Sequence, residues 1–149
     1  MSVIQILAAL RAHGGTRRTT GLPDDVLERF AATHPELVEA AQAAADAHAA
    51  LKQDFADLLD LDEEAQARAV QAGYINFYPG DAVNPYVALT ARGPWIVTLK
   101  GAVLHDSGGY GMLGFGHTPK DVIAAMAQPV PMANIMTPSL SQLKLDRAL

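Results

Sequence analysis

The chain has no cysteine. That excludes disulfides, thiol nucleophiles and cysteine-ligated zinc, and it fits a reducing compartment, so a cytoplasmic location is expected. No apolar run approaches the ~20 residues that a membrane-spanning helix needs, so no membrane partner is expected either. A basic excess is also missing. Eleven Lys and Arg stand against 16 Asp and Glu, a formal charge of −5, which is the wrong sign for a general nucleic-acid binder. Acids are absent from Met1 to Pro23, where Arg11, Arg17 and Arg18 are present. Organelle transit peptides share that bias, but this stretch is short and poor in serine, and it reads as an ordinary first helix followed by a polar loop. No positive charge precedes its apolar run, so it is not a secretory signal.

What remains is globular in character. Half of the 149 residues are apolar and 18% are charged, enough apolar sequence to bury a core. Val3, Ile6, Leu7 and Leu10 recur at helical spacing and predict a helix over 2–12, ended by Gly14 and Gly15. Pro23 opens a short helix with Asp24 and Asp25 in its first turn and Val26, Leu27 and Phe30 facing inward. Thr33 and Glu36 form a capping-box pattern for a long helix from Pro35 to Leu59. Its inward seam is Leu37, Ala41, Ala44, His48, Leu51, Phe55 and Leu58, and its alanine half suits close packing within the chain or, less simply, in a dimer. His48 on that seam reads as a core or boundary residue. Asp62-Glu63-Glu64 starts another helix that stops at Gly73.

The texture changes near residue 73, from helix-forming to aromatic and turn-rich sequence, with a Pro79-Gly80 turn. Phe77 and Tyr78 read as core residues. Trp95 to Leu99 predicts a strand, Lys100-Gly101 a turn and Ala102 to Asp106 the returning strand of an antiparallel hairpin. Thr118 caps a helix that Pro119 opens, with Val122, Ile123 and Met126 on its buried side. Ser139 and Gln142 make a capping box for a last helix. The expected fold class is therefore α+β: a helical part over 1–73, then a small antiparallel hairpin with helices over 74–149.

Three local patterns compete between Gly93 and Pro119. Gly109-Tyr-Gly111-Met-Leu-Gly114 matches the dinucleotide glycine fingerprint, but its third glycine is separated from the next helix by Phe115-Gly116-His117-Thr118-Pro119, and no parallel strand with a terminal acid follows. Asp106-Ser107-Gly108-Gly109 matches the nucleophile loop of chymotrypsin-like proteases, but the chain is too helical and too short for two barrels. The third pattern is the whole stretch: glycine, apolar strand, turn glycine, apolar strand, aspartate, small residues, aromatic, Gly-His-x-Pro, helix.

Read as a whole, the stretch resembles the N-terminal signature of class III aminotransferases, the ornithine, acetylornithine and 4-aminobutyrate group of pyridoxal-phosphate enzymes. Gly93, Gly101, Asp106, Gly116, His117 and Pro119 match it in order and spacing. Thr98, Lys100, Gly114 and Thr118 stand where members usually carry Asp, an acid, Asn and His. Asn84 to Leu89 looks like the segment that enters the hairpin, and the likeness covers about residues 75–149.

The resemblance implies a parent of the α/β fold type I class. It would transfer an amino group from an amino acid or amine to a 2-oxo acid and work as a homodimer. Tyr110 stands where ornithine-type members place a substrate-facing tyrosine, and Ser107, Gly108 and Gly109 would let the backbone approach the substrate. Gly101, Asp106, Gly116, His117 and Pro119 would be structural, with His117 ordering the loop ahead of the helix. The Schiff-base lysine, the phosphate loop and the aspartate that pairs with the pyridine nitrogen lie downstream of this region in the family. Lys52, Lys100, Lys120 and Lys144 lack the lysine's context, so no catalytic residue and no metal ligand is nominated. The chain is thus expected to be an inactive N-terminal fragment, truncated before the cofactor domain. The alternative is a non-enzymatic helical interaction or dimerisation module that docks through the alanine seam.

Overall fold

The structure is a computed structural model that describes residues 1–74, 79, 81–108, 113–129 and 138–149. The expected mixed class holds: helices accompany one three-stranded antiparallel sheet. The chain forms two compact units, Met1–Pro119 and Lys120–Leu149.

In the first unit, α1 (Val3–Ala12) starts at Ser2, whose hydroxyl accepts from the Gln5 amide while the Gln5 side chain accepts from the Ser2 amide. This reciprocal capping satisfies two donors that a helix start leaves open. Val3, Ile6, Leu7 and Leu10 are buried as their spacing requires. Pro23 stands at the N-cap of α2 (Asp24–Ala31), which buries Leu27. Phe30 does not enter the core. It stays 38% exposed and lies 5.3 Å from the Trp95 ring, at the rim of that residue.

The long helix departs from expectation at both ends. α3 (Pro35–Asp54) has His34 at its N-cap, and no side chain caps it. Proline favours the first helical position, which leaves Thr33 one residue too early, and the Thr33 hydroxyl donates instead to the Phe30 carbonyl. At the far end the helix breaks at Phe55 and a separate short helix, α4 (Ala56–Asp60), follows. The seam is buried through Leu37, Ala40, Ala41, Ala44 and His48. Phe55 is 49% exposed, and Leu59 is buried where Leu58 was expected. The break gives the Leu59 carbonyl two donors, Lys100 Nζ at 3.1 Å and Gln66 Nε2 at 3.2 Å. α5 (Glu63–Gln71) then runs close to its expected span.

The sheet comprises β1 (Ala88–Arg92), β2 (Trp95–Thr98) and β3 (Val103–His105), in that spatial order. The β2–β3 hairpin matches the sequence pattern, with Trp95 opposite His105 and Val97 opposite Val103. β1 joins as a third strand, with Arg92 opposite Trp95. Every residue of β2 is buried. Alanines on α3 permit the close packing of β1: the Thr90 hydroxyl donates to the Ala40 carbonyl at 2.9 Å. The core therefore lies between α1, α2, α3 and the sheet. Sequence texture changes near residue 73, whereas compaction changes at Pro119, because the sheet packs on α3.

The second unit holds α6 (Lys120–Met126) and α7 (Leu140–Ala148). Neither helix has a buried residue. The expected buried side of α6 is not formed: Ile123 is 48% and Met126 81% exposed. α6 also starts without the expected cap, since Thr118 has a left-handed backbone (φ 49°) and its hydroxyl donates to the Ala91 carbonyl. Ser139 does cap α7, accepting from the Gln142 amide at 3.3 Å, but the Gln142 side chain donates to Asp146 rather than back to the cap.

Candidate functional site

The end of the hairpin and the chain before α6 close around one cleft. Gly93 and His117 exchange backbone hydrogen bonds of 3.0 and 2.8 Å, an isolated antiparallel bridge. The Asp106 amide donates to the Pro94 carbonyl at 2.7 Å. Gly116 lies directly on Gly93, and a Cβ there would stand 2.9 Å from the Gly93 Cα, which no side chain tolerates. Its φ of 71° is likewise a conformation that suits glycine. The two glycines thus let two backbones touch.

Between these backbones sits a carboxylate–imidazole pair. His117 Nε2 lies 2.9 Å from Asp106 Oδ2, both side chains about four-fifths covered. The Gly108 amide donates to Asp106 Oδ1 at 3.0 Å. The resulting cleft has a volume of about 440 Å³. Pro94, Leu113 and Phe115 give it apolar sides; His105, Asp106 and Ser107 give it a polar edge. The His105 ring stands edge-on to the buried Trp95 ring, at 5.0 Å and 81°.

Of the residues singled out by the sequence, Gly93, Asp106, Ser107, Gly108, Gly116 and His117 line this cleft together. Gly101 does not join them. It turns the opposite end of the hairpin under α1, where its carbonyl accepts from Arg11 Nε at 2.9 Å. Pro119 ends the first unit one residue before α6. Tyr110 and Gly109, like Phe77 and Tyr78, lie outside the described residues. His105 was read as a hairpin-end residue, and its place in the cleft follows only from the pairing with Trp95.

A second polar centre lies in the interior and was not legible as a site. Lys100 occupies the hairpin turn yet is only 3% exposed, and its ammonium donates to the Gly14 and Leu59 carbonyls. Burial pushes its pKa down, opposed by Asp62, Glu63 and Asp60. His48 is also buried, with its ring 4.9 Å from that of His13. Burial lowers its pKa first, with His13, Lys52 and Lys100 adding in the same sense. Glu63, 1% exposed, accepts the Arg18 and Thr19 amides at 2.6 and 2.7 Å. This centre ties the 14–19 loop to α4 and α5.

Among the described residues no group of His, Asp and Glu is placed to hold a metal ion, and no helix is long and apolar enough to cross a membrane. Comparison of the chain with protein-family models, with curated proteins and with solved structures finds no match in any of the three.

Proposed function

We propose that the chain is the N-terminal part of a pyridoxal-phosphate-dependent class III aminotransferase and forms the substrate-side wall of its site. The supporting observation is convergence. Gly93, Asp106, Gly116 and His117, four positions of the signature, meet at one cleft although 23 intervening positions separate the first from the last. In this reading the parent moves an amino group from an amino acid or amine to a 2-oxo acid, and acts as a cytoplasmic homodimer of fold type I.

The described residues alone do not fit the cofactor. No lysine or arginine is among the described residues that line the cleft, so none of them could form the imine or supply a fixed positive charge to the phosphate. Lys100 is committed to two carbonyls. The reading therefore assigns the cofactor's lysine and phosphate loop to sequence outside these 149 residues, and no chemical step is derived through the cofactor. The rival, a helical docking module, has little to draw on, because Ala40, Ala41 and Ala44 are fully covered within the chain.

The gene sequence beyond the Leu149 codon provides the test. A phosphate loop and a lysine in frame are expected, together with amino transfer by the full product. An immediate stop codon would overturn the proposal, as would a reducible imine formed by this chain alone on incubation with pyridoxal phosphate.

A further inference from the structure

The polar groups of the cleft are not equally available. Asp106 gives one oxygen to the Gly108 amide and the other to His117. His117 is held by that bond and by Gly93 through both its backbone groups. His105 and Ser107, by contrast, have no side-chain hydrogen-bond partner among the described residues, and both line the cleft. His105 is nevertheless not adrift. Its ring is set edge-on against Trp95, which is 1% exposed. His105 is exposed at the end of β3, and an imidazole with both nitrogens uncommitted can donate to a ligand from a ring N–H. The Ser107 hydroxyl adds a second, rotatable donor.

We infer that His105, with Ser107 beside it, receives the carboxylate of a small acid whose apolar body lies against Pro94, Leu113 and Phe115. Donors at the polar edge and apolar flanks match a carboxylate on an aliphatic chain. The Asp106 carboxylate is turned toward its own partners, the Gly108 amide and His117. An amine would compete with the Gly108 amide and His117 for the Asp106 carboxylate. The choice of a 2-oxo acid as the natural ligand rests on the transaminase reading; the carboxylate contact rests on the cleft itself.

Trp95 is the only tryptophan and touches His105, so its emission reports the cleft. Purified chain is titrated with α-ketoisocaproate, with isocaproate, which keeps the carboxylate but lacks the oxo group, and with isoamylamine, which lacks the carboxylate. Calorimetry is run in parallel. Both acids are expected to give saturable binding and the amine none. His105→Phe keeps the edge-on packing and removes both nitrogens. It is expected to weaken acid binding about tenfold or more, the loss expected when a hydrogen bond to a charged group is removed, with the thermal midpoint unchanged. His105→Asn, which retains a donor, is expected to fall between the two.

No saturable response to either acid, an equal response to the amine, or undiminished binding in a folded His105→Phe variant would overturn the inference. The two proposals fail separately. Acid binding by a product whose gene stops after Leu149 removes the transaminase and keeps this site. Amino transfer by a full-length parent indifferent to His105→Phe removes this site and keeps the transaminase.

Discussion

His48 and Lys100 are neighbours in charge as well as in space, and each is held with its charged form disfavoured. A histidine whose folded pKa is lowered binds fewer protons folded than unfolded. Its stabilisation is complete above the ordinary value of 6.5 and is lost as pH falls below it. Stability is therefore expected to decline on acidification from neutrality, before the carboxylates titrate. Asp62 and Glu64 are held low by the Thr16 amide and by Arg68 respectively, so their contributions are lost only below 3.8 and 4.5. Replacing His48 with Gln should flatten the upper part of that profile and leave the lower part in place. Urea unfolding across pH checks it, and a slope that survives the substitution assigns the effect elsewhere. Gly116 offers a second residue-scale test. Alanine there meets the Gly93 backbone and takes an unfavourable φ, so Gly116→Ala is expected to cost about 1–3 kcal/mol. A change within error in the denaturation midpoint would mean that the two backbones separate freely.

At the scale of elements, the junction of α3 with β1 decides how closely sheet and helix approach. Ala41 is fully buried on the face where α3 meets its neighbours, and Thr90 of β1 reaches the Ala40 carbonyl. A larger side chain at Ala41 has to displace the strand or the helix. Ala41→Leu is expected to destabilise the protein by about 1–3 kcal/mol, the usual cost of overpacking, even though it adds apolar surface. Chemical denaturation gives the sign directly, and a gain in stability would point to a void that the packing does not suggest. The same junction explains why the helix was readable and the strand was not. Periodicity marks α3 through its apolar stripe, whereas Ala88-Leu-Thr-Ala-Arg92 has weak strand propensity and pairs only because β2 stands ready beside it. The break at Phe55 was hidden for a related reason: the donors waiting for the Leu59 carbonyl come from residues 66 and 100, which no local pattern contains.

For the molecule as a whole, local signals carried as far as local physics does. Caps, prolines and spacing placed α1, α2, α5 and the hairpin, each of which is satisfied largely within its own stretch. The candidate site was legible as an ordered set of residues but not as a geometry. That Asp106 would clasp His117, and that His105 would be the uncommitted group, depends on closing the chain from the hairpin back to Gly93. Lys100 misled for the opposite reason, since a lysine in a turn ordinarily faces water and this one is covered by helices from elsewhere. The division of labour between the two units yields a final expectation. Among the described residues, every member of the hydrophobic core lies between Val3 and Val103, and every cleft residue lies before Thr118. α6 and α7, by contrast, contain no fully buried residue. Cooperative unfolding should therefore belong to the first unit. A chain ending at Pro119 is expected to keep the thermal midpoint of the full 149 residues to within about 2 °C. A shift of that size corresponds to well under 1 kcal/mol for a domain of this length. Calorimetry of the two chains side by side gives the answer. A midpoint lower by many degrees would show that the last 30 residues, which carry Leu140, Leu143 and Leu145 on their surface, hold the core together.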